Sequence, residues 1–300
     1  FGKKFWKKFG RLILIFLAGY SIHATYLSLR KISNPAYPHM IREFLRVDIL
    51  QCIAVGLIIL LLLRLLIKSD KIYYSTIIFL DLFILVYSPI AWNTDYTKYF
   101  PLGIANYFNR KYGSLFPLFP WLAFIFTGAL IGKYYVDAKN KIGEENFIKN
   151  ILIAGSIFFI TGVTFLNLLF PESWVNVKPN YFFFLQRLGI ILALLSLCWI
   201  YLKRFNQNQS FILDVSRESL LVYWLHLKLL YLRIWEGKSL IDLFGPTLNI
   251  VQCLLISLLL GILMVLTAKG WGYLKMKYPA AVSRFVFVSV TVAVIIFFVY

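Results

Sequence analysis

Long apolar runs recur along the chain and are separated by short polar segments. A membrane-spanning helix needs roughly 20 predominantly apolar residues, and nine stretches reach that length. We predict transmembrane helices at residues 9–29, 45–66, 72–92, 115–135, 148–170, 182–202, 211–232, 247–268 and 283–300. The runs show no two-residue alternation of the kind that β-barrel strands carry. The pattern therefore predicts an all-α, polytopic integral membrane bundle, with residues 1–300 forming one domain.

The composition agrees with this pattern. Hydrophobic residues make up 60% of the chain and charged residues 15%, against roughly 45–50% and 25% in soluble proteins. A globular core of this size cannot bury so much apolar surface. The composition excludes a soluble enzyme, a disordered protein and a secreted disulfide domain, and it makes the lipid bilayer the first expected partner.

The net charge of +18 lies mostly in the connections between the apolar runs. Alternate connections, beginning with the N-terminus, carry most of the Lys and Arg residues, so the positive-inside rule predicts a cytoplasmic N-terminus. We expect a bacterial cytoplasmic (inner) membrane protein and no nucleic-acid partner. A homo-oligomer is compatible with the sequence. Three cysteines stand singly within apolar runs, so we expect no metal site and no disulfide.

Two outer connections, 30–44 and 92–114, are longer than simple links require. Segments of this length often form lids or binding surfaces. The alternative is an amphipathic segment that lies on the bilayer with its Trp and Tyr residues in the interface.

Two isolated ionisable residues lie inside predicted spans, where each is a functional candidate. Asp81 stands near the middle of its span and would bind substrate, handle a proton, or simply pair with a polar group on another helix. Arg187 lies in the outer half of its span. It would hold a phosphate or carboxylate, or extend its guanidinium to the headgroups.

Three polar residues open the second predicted span. Asp48 and Gln51 are three positions apart and share a helix face, where they would shape a binding pocket or form structural contacts. Arg46 precedes them and would join the pocket or reach the headgroups.

The seventh predicted span carries a polar face. Ser219, Tyr223 and His226 fall at i, i+4 and i+7, which places a hydroxyl, a phenol and an imidazole on one side. His226 would act as a general base or orient a substrate, unless the face only forms hydrogen bonds between helices. Arg217 and Glu218 would stand at the cytoplasmic mouth.

The predicted topology places five of these polar residues in the outer half of the bilayer. Their convergence at one depth predicts a shared substrate cavity. They are Asp48, Gln51, Arg187, Tyr223 and His226.

Three stretches, in this order and spacing, resemble the heparan-alpha-glucosaminide N-acetyltransferase-like family. They are R-x-D-x-L-Q-x-I-A at 46–54, F-P-x-x-P-W with a later G-x-x-x-G at 116–132, and S-L-x-x-Y-x-x-H at 219–226. The resemblance covers most of residues 9–268 and adds Trp121 to the candidate pocket-lining residues.

The resemblance implies a multi-pass enzyme of the transmembrane acyltransferase superfamily. Such a protein takes an acyl group, often acetyl, from cytoplasmic acetyl-CoA or another acyl-CoA and passes it to a saccharide on the far side. Tyr223 and His226 would then orient the acceptor or line the acyl path, and Arg187 would hold an anionic group. Asp48 would shape the acceptor pocket together with Gln51.

The family's chemistry depends on a histidine associated with its first span, whereas the motifs of this chain begin at the family's third span. His23 does not stand in the matching context. We therefore expect this chain to lack that histidine unless the two first spans precede Phe1, and no catalytic residue is assigned. The alternatives are a transporter or flippase for a lipid-linked or anionic solute, with Asp81 as its mid-membrane carboxylate, and a non-catalytic membrane scaffold.

Overall fold

The computed structural model of the protein describes residues 2–24, 28–141, 143–166, 179–204, 211–232 and 238–299. Every regular element within those ranges is helical. The first nine helices are α1 (Lys3–His23), α2 (Leu29–Ile32), α3 (Pro38–Phe44), α4 (Ile49–Leu66), α5 (Asp70–Asn93), α6 (Leu102–Ala105), α7 (Leu118–Asn140), α8 (Glu144–Thr164) and α9 (Tyr181–Arg204). The remaining helices are α10 (Phe211–Arg217), α11 (Ser219–Tyr231), α12 (Leu240–Phe244), α13 (Ile250–Lys277) and α14 (Pro279–Val299).

Seven helices in the described ranges are long and apolar enough to cross a membrane. They are α4, α5, α7, α8, α9, α13 and α14. The prediction of an all-α, multi-pass membrane protein is confirmed. The helix ends follow the predicted spans within a few residues, except that α13 continues beyond 268 to Lys277. Predicted positions 167–170 and 300 lie outside the described residues.

The other two predicted spans differ from the structure. The span at 9–29 corresponds to α1, which begins earlier, at Lys3, and ends at His23; residues 25–27 lie outside the described ranges. The span at 211–232 is divided into α10 and α11, with Glu218 in a non-helical conformation between them (φ −106°, ψ 22°). Four successive polar residues, 216–219, interrupt the apolar surface that an unbroken span would need.

The chain forms two compact units. The first unit consists of Phe1–Ile13 and Arg46–Asn206, and the second consists of Leu14–Leu45 and Gln207–Tyr300. A single domain over the whole chain stays a prediction.

Five long helices, α4, α5, α7, α8 and α9, build the first unit. The links at 67–69 and 141–143 are only three residues long, so the helices that they join run antiparallel. Their apolar side chains form one core, whose buried members are Leu60, Tyr73, Ile77, Ile84, Leu122, Ala123, Phe126, Ile151, Phe184, Leu188 and Leu192. Packing in this core fixes the positions of the helix ends, which carry the polar side chains described below.

Glycines bring α8 and α9 into backbone contact. A Cβ atom on Gly162 would lie 2.6 Å from the backbone nitrogen of Gln186, and one on Gly155 would lie 3.0 Å from the carbonyl oxygen of Gly189. Small residues allow such close approach of helices inside membranes, where packing replaces the hydrophobic effect as a driving force. The α8–α9 pair is therefore the most closely packed part of the first unit.

In the second unit, α13 packs against α10 and α11, and α14 packs against α13 and α2. The end of α1 contacts α11, where the indole Nε1 of Trp224 donates a hydrogen bond of 2.7 Å to Ser21 Oγ. Lys275 on α13 binds both carboxylate oxygens of Glu218, at 3.0 and 2.8 Å. Most of the large apolar side chains of α13 and α14 are exposed, as expected for helices that face lipid.

Candidate functional site

The start of α4 is a capping box. Asp48 is the N-cap residue, and its Oδ1 accepts a hydrogen bond of 2.7 Å from the backbone of Ile49. The Gln51 side chain accepts one of 3.2 Å from the backbone nitrogen of Asp48. Both side chains are buried, and a capping box satisfies backbone donors that the first turn leaves without partners. These two residues therefore position the helix; their predicted role in an acceptor pocket stays a prediction.

The segment before α4 is tied to the loop that precedes α7. Arg46 Nε donates a hydrogen bond of 2.8 Å to the carbonyl of Gly113, and the Val47 backbone nitrogen donates one of 3.2 Å to Ser114 Oγ. The Val47 carbonyl accepts hydrogen bonds from the backbone of both Leu115 and Phe116. Gly113 has φ +97°, a conformation that side chains with a Cβ rarely adopt. Arg46 thus fastens the loop rather than pointing only to the headgroups.

The connection between α5 and α7, residues 94–117, is held by a network around Asp95. The Asp95 carboxylate accepts hydrogen bonds from Thr97 Oγ1 at 2.7 Å and Tyr112 Oη at 3.0 Å, and it pairs with Lys111 Nζ at 3.1 Å. The hydrogen bonds from Thr97 and Lys111, with that from Tyr112, hold the pKa of Asp95 far below its ordinary value. The carboxylate form therefore stabilises this loop.

Asn109 attaches the same loop to the end of α5, and Trp92 joins α5 to α7 beside it. Asn109 Nδ2 donates to the carbonyl of Ala91 at 3.1 Å and to that of Thr94 at 2.7 Å. Trp92 Nε1 donates to the carbonyl of Phe119 at 2.7 Å. The segment is therefore a hydrogen-bonded part of the first unit, and both interpretations drawn from its length stay predictions.

Trp121 begins a line of aromatic and cationic side chains beside this loop. Its ring lies 4.8 Å from that of Phe116 and 6.3 Å from that of Phe183, with the second pair edge to face. The guanidinium of Arg187 lies over the Phe183 ring, with Cζ 3.8 Å from the centroid. Trp121 Nε1 is buried and has no hydrogen-bond partner among the described residues. The arrangement offers an aromatic surface with one exposed cation, and the Trp121 N–H is buried within it.

The line joins two groups of predicted residues. The Val47 carbonyl accepts a hydrogen bond from the backbone of Phe116, whose ring contacts that of Trp121. The Trp121 ring also contacts the Phe183 ring, and the guanidinium of Arg187 lies over Phe183. The structure therefore places Asp48, Gln51, Trp121 and Arg187 near one end of the first unit. Phe183 carried no polar signal, and for that reason sequence analysis did not single it out.

Asp81 lies halfway along α5 and faces α7. Its Oδ2 accepts a hydrogen bond of 2.8 Å from Thr127 Oγ1. Its Oδ1 is buried and has no partner among the described residues. Buried carboxylate oxygens are costly when they are not fully hydrogen-bonded, so this residue is only half satisfied. It is separate from the Trp121–Arg187 line.

The polar face of the seventh predicted span lies on α11, in the second unit. His226 Nδ1 forms a hydrogen bond of 2.9 Å with the carbonyl of Val222 in its own helix, and its ring meets that of Tyr223 edge to face at 5.4 Å. Glu218 is the residue that binds Lys275, whereas the neighbouring Arg217 is exposed. The predicted cavity shared by Tyr223, His226 and the residues of the first unit stays a prediction.

The chain matches the family model of the heparan-alpha-glucosaminide N-acetyltransferase catalytic domain over residues 2–157, which is more than half of its 300 residues. It belongs to this family. The matched range contains the α4 cap, Asp81 and Trp121, whereas α9 and α11 lie beyond it. Searches of curated proteins and of solved structures found no significant match.

Membership identifies the protein as a multi-pass member of a membrane acetyltransferase family named for action on a saccharide. Within the described ranges, no group of three His, Cys, Asp or Glu side chains could hold a metal ion. The Trp121–Arg187 line presents aromatic rings and one exposed cation.

Proposed function

We propose that this protein transfers an acyl group, most simply acetyl, from acyl-CoA on the cytoplasmic side to a saccharide on the opposite side of the membrane. Family membership supports the reaction class. The observation that carries the acceptor site is the line from Trp121 through Phe183 to Arg187. The acyl-CoA donor and the N-terminus-inside topology belong to this proposal.

The aromatic surface suits a sugar. Aromatic rings offer apolar faces to the C–H groups of a pyranose, and the buried Trp121 N–H needs an acceptor oxygen. The Arg187 guanidinium is a planar fork that binds carboxylate or phosphate through two hydrogen bonds. A saccharide that lies across the line would accept hydrogen bonds from Arg187. It would reach Trp121 Nε1 only after a local rearrangement, because that atom is buried. Trp121 and Arg187 are therefore assigned to acceptor binding.

The transfer breaks the thioester C–S bond of acyl-CoA and forms a C–N or C–O bond to the acceptor, whose proton must pass to a base. None of the described side chains is assigned as that base. His226 and Tyr223 are assigned to orienting the acceptor or lining the acyl path. Arg217 and the other basic residues of the cytoplasmic mouths would attract the CoA phosphates.

The proposal is tested with the purified protein in nanodiscs, supplied with radiolabelled acetyl-CoA and, in parallel, methyl α-glucosaminide or a glucosaminide linked to a uronic acid. We expect label on the saccharide and stoichiometric release of CoA. Arg187→Gln should raise the KM for an acceptor that bears a carboxylate by about tenfold or more, because a charged hydrogen bond contributes roughly 1.5–3 kcal/mol. Arg110→Gln is the matched control, since Arg110 also lies over an aromatic ring, that of Trp92, at 5.8 Å.

Two results would contradict this assignment. Absence of label transfer to a panel of amino and neutral sugars would contradict the reaction. Equal kinetics of the Arg187 and Arg110 variants would contradict the site while leaving the reaction in place. A His226→Ala variant, with its folding checked by thermal unfolding, tests the secondary role of α11 in the same assay.

The unpartnered Oδ1 of Asp81 supports a second candidate, a carrier for an anionic or lipid-linked solute. A mid-membrane carboxylate is typical of proton-coupled transport. Liposome uptake that depends on a proton gradient and is lost in Asp81→Asn, without turnover of acetyl-CoA, would favour the carrier. If the Asp81→Asn variant still turns over acetyl-CoA, the transferase is favoured. If the protein is inactive in both assays, a membrane scaffold is the interpretation that is left.

A further inference from the structure

A buried lysine lies in the second unit, on the same helix as Tyr223 and His226 but with no role assigned above. Lys228, near the end of α11, is 8% exposed. Its Nζ donates one hydrogen bond, to the carbonyl oxygen of Ala24 at 3.4 Å. It pairs with no carboxylate among the described residues. Sequence analysis did not single it out, because a lysine close to a predicted span end is usually a headgroup contact.

This degree of burial is unusual for an unpaired cation. Lysine is almost never fully buried unless a partner compensates its charge, and an isolated buried charge is strongly unfavourable. An ammonium group carries three N–H donors, and the single contact at 3.4 Å is longer than a normal N–H···O hydrogen bond. At least two donors are therefore left for another group.

The bond to Ala24 is not what holds the two helices together. One turn earlier on the same face of α11, Trp224 Nε1 donates a much shorter hydrogen bond, 2.7 Å, to Ser21 Oγ on α1. Ser21 in turn donates to the carbonyl of Ala18 at 2.7 Å. This contact fixes the α1–α11 pair, and it holds the Lys228 stem in place with its ammonium directed at the end of α1.

We propose that Lys228 anchors a site for an oxyanion, a phosphate or a carboxylate, at the contact between the end of α1 and α11. A compact ammonium binds such groups as a point charge and donates hydrogen bonds to their oxygens. The site lies in the second unit and uses none of the residues assigned to acyl transfer, so it does not depend on the proposed function. Two sources share this chemistry, a phospholipid headgroup and a water-soluble anion.

The test compares thermal unfolding of the wild type, Lys228→Met and Lys238→Met in nanodiscs of phosphatidylcholine. Methionine keeps the length and apolar stem of lysine without its charge. Lys238 belongs to the same unit and is exposed, so its variant is the matched control. The probes are inorganic phosphate and sodium glucuronate, each against sodium chloride of equal ionic strength, and nanodiscs that contain phosphatidylglycerol.

We expect a near-saturating anion to raise the Tm of the wild type and of Lys238→Met by about 5 °C. Lys228→Met should lose this shift and should be no less stable than the wild type when no anion is added. A shift with phosphate or glucuronate identifies a soluble anion, whereas a shift only with phosphatidylglycerol identifies a lipid headgroup. An equal shift in all three proteins, or none in any, overturns the proposal.

A lower Tm of Lys228→Met together with no response of the wild type to any probe also overturns it, because Lys228 would then act only through Ala24. If Lys228→Met does not fold, the proposal is decided by a second measurement on the wild type. Acetic anhydride modification, measured by mass spectrometry, should decrease at Lys228 relative to Lys238 when the anion is present. An unchanged ratio contradicts the site.

Discussion

Gly189 lies against Gly155 so closely that a Cβ atom on Gly189 would stand 2.5 Å from the Gly155 carbonyl oxygen. The same atom would stand 2.5 Å from the backbone nitrogen of Phe159. Both obstacles are backbone atoms, which cannot rotate away as the end of a side chain can. The contact between α8 and α9 therefore requires the absence of a side chain at position 189.

Gly189→Ala should accordingly destabilise the protein by about 2 kcal/mol, in the range measured for overpacked cores. Gly128→Ala is the matched control, because no atom lies within 4 Å of the position that its Cβ would occupy. An exposed glycine within a helix costs about 0.5–1 kcal/mol relative to alanine, so this control should be slightly more stable than the wild type. Thermal unfolding in detergent measures both, and equal effects would contradict the backbone contact.

The cap of α4 provides a second prediction. Asp48→Ala should destabilise the protein by about 1 kcal/mol, since it removes the side-chain acceptor at the N-cap. Asp48→Asn should cost little, because asparagine caps helices about as well as aspartate. Acetyl transfer per folded molecule would be the same in both variants if the role of Asp48 is only structural. A loss of transfer in Asp48→Asn at unchanged stability would show that the carboxylate also meets the acceptor.

The mid-membrane pair provides a third prediction. Thr127→Val should destabilise the protein by about 1–3 kcal/mol, because it leaves both oxygens of Asp81 without a donor. Thr76→Val, which removes an exposed hydroxyl bonded only to its own helix at Ile72, should have a much smaller effect. The double variant with Asp81→Asn should recover part of the loss, since an amide is less costly to leave buried than a carboxyl group that ionises. Additive effects of the two substitutions would contradict a direct contact.

A fourth prediction concerns acid. The pKa of Asp95 is lowered in the folded loop by Thr97, Lys111 and Tyr112, so folding favours the carboxylate form. Its stabilising contribution is complete above the ordinary aspartate pKa of about 3.9 and decreases as the pH falls toward the lower folded value. After correction for the intrinsic pH dependence of amide exchange, the protection factors of residues 94–117 should therefore decrease below about pH 4. The change should be absent in Asp95→Asn, and Asp137→Asn serves as the control.

The sequence predicted the membrane fold well because hydrophobic length is a local property. A membrane span is recognised from the apolar residues of its own segment. This holds for α4, α5, α7, α8, α9, α13 and α14. The break at Glu218 was missed because a window of twenty residues averages four polar positions into an otherwise apolar stretch. The extension of α13 to Lys277 was missed for the opposite reason. The amphipathic end of this helix contains too few apolar residues to be predicted as part of a membrane span.

The candidate site was only partly predictable. Asp48 and Gln51 drew attention as polar residues near a span, but the same spacing describes a capping box, and only the hydrogen bonds distinguish the two roles. Arg187 was singled out by its charge, whereas its neighbour Phe183 resembles any lipid-facing phenylalanine in the sequence. Contacts between distant segments, such as Arg46 with Gly113 or Lys228 with Ala24, leave no signal in one sequence.

The length of α13 has a consequence for the bilayer that surrounds it. Its 28 residues extend over about 42 Å at 1.5 Å per residue, whereas the hydrocarbon layer is about 30 Å thick. The uncharged part ends before Lys269, and the last turns carry Lys275, Lys277 and Tyr273, side chains suited to the headgroup region. A thicker hydrocarbon layer can be matched by an upright helix and a thinner one by tilting. The length of α13 therefore lets this helix match hydrocarbon layers of different thickness.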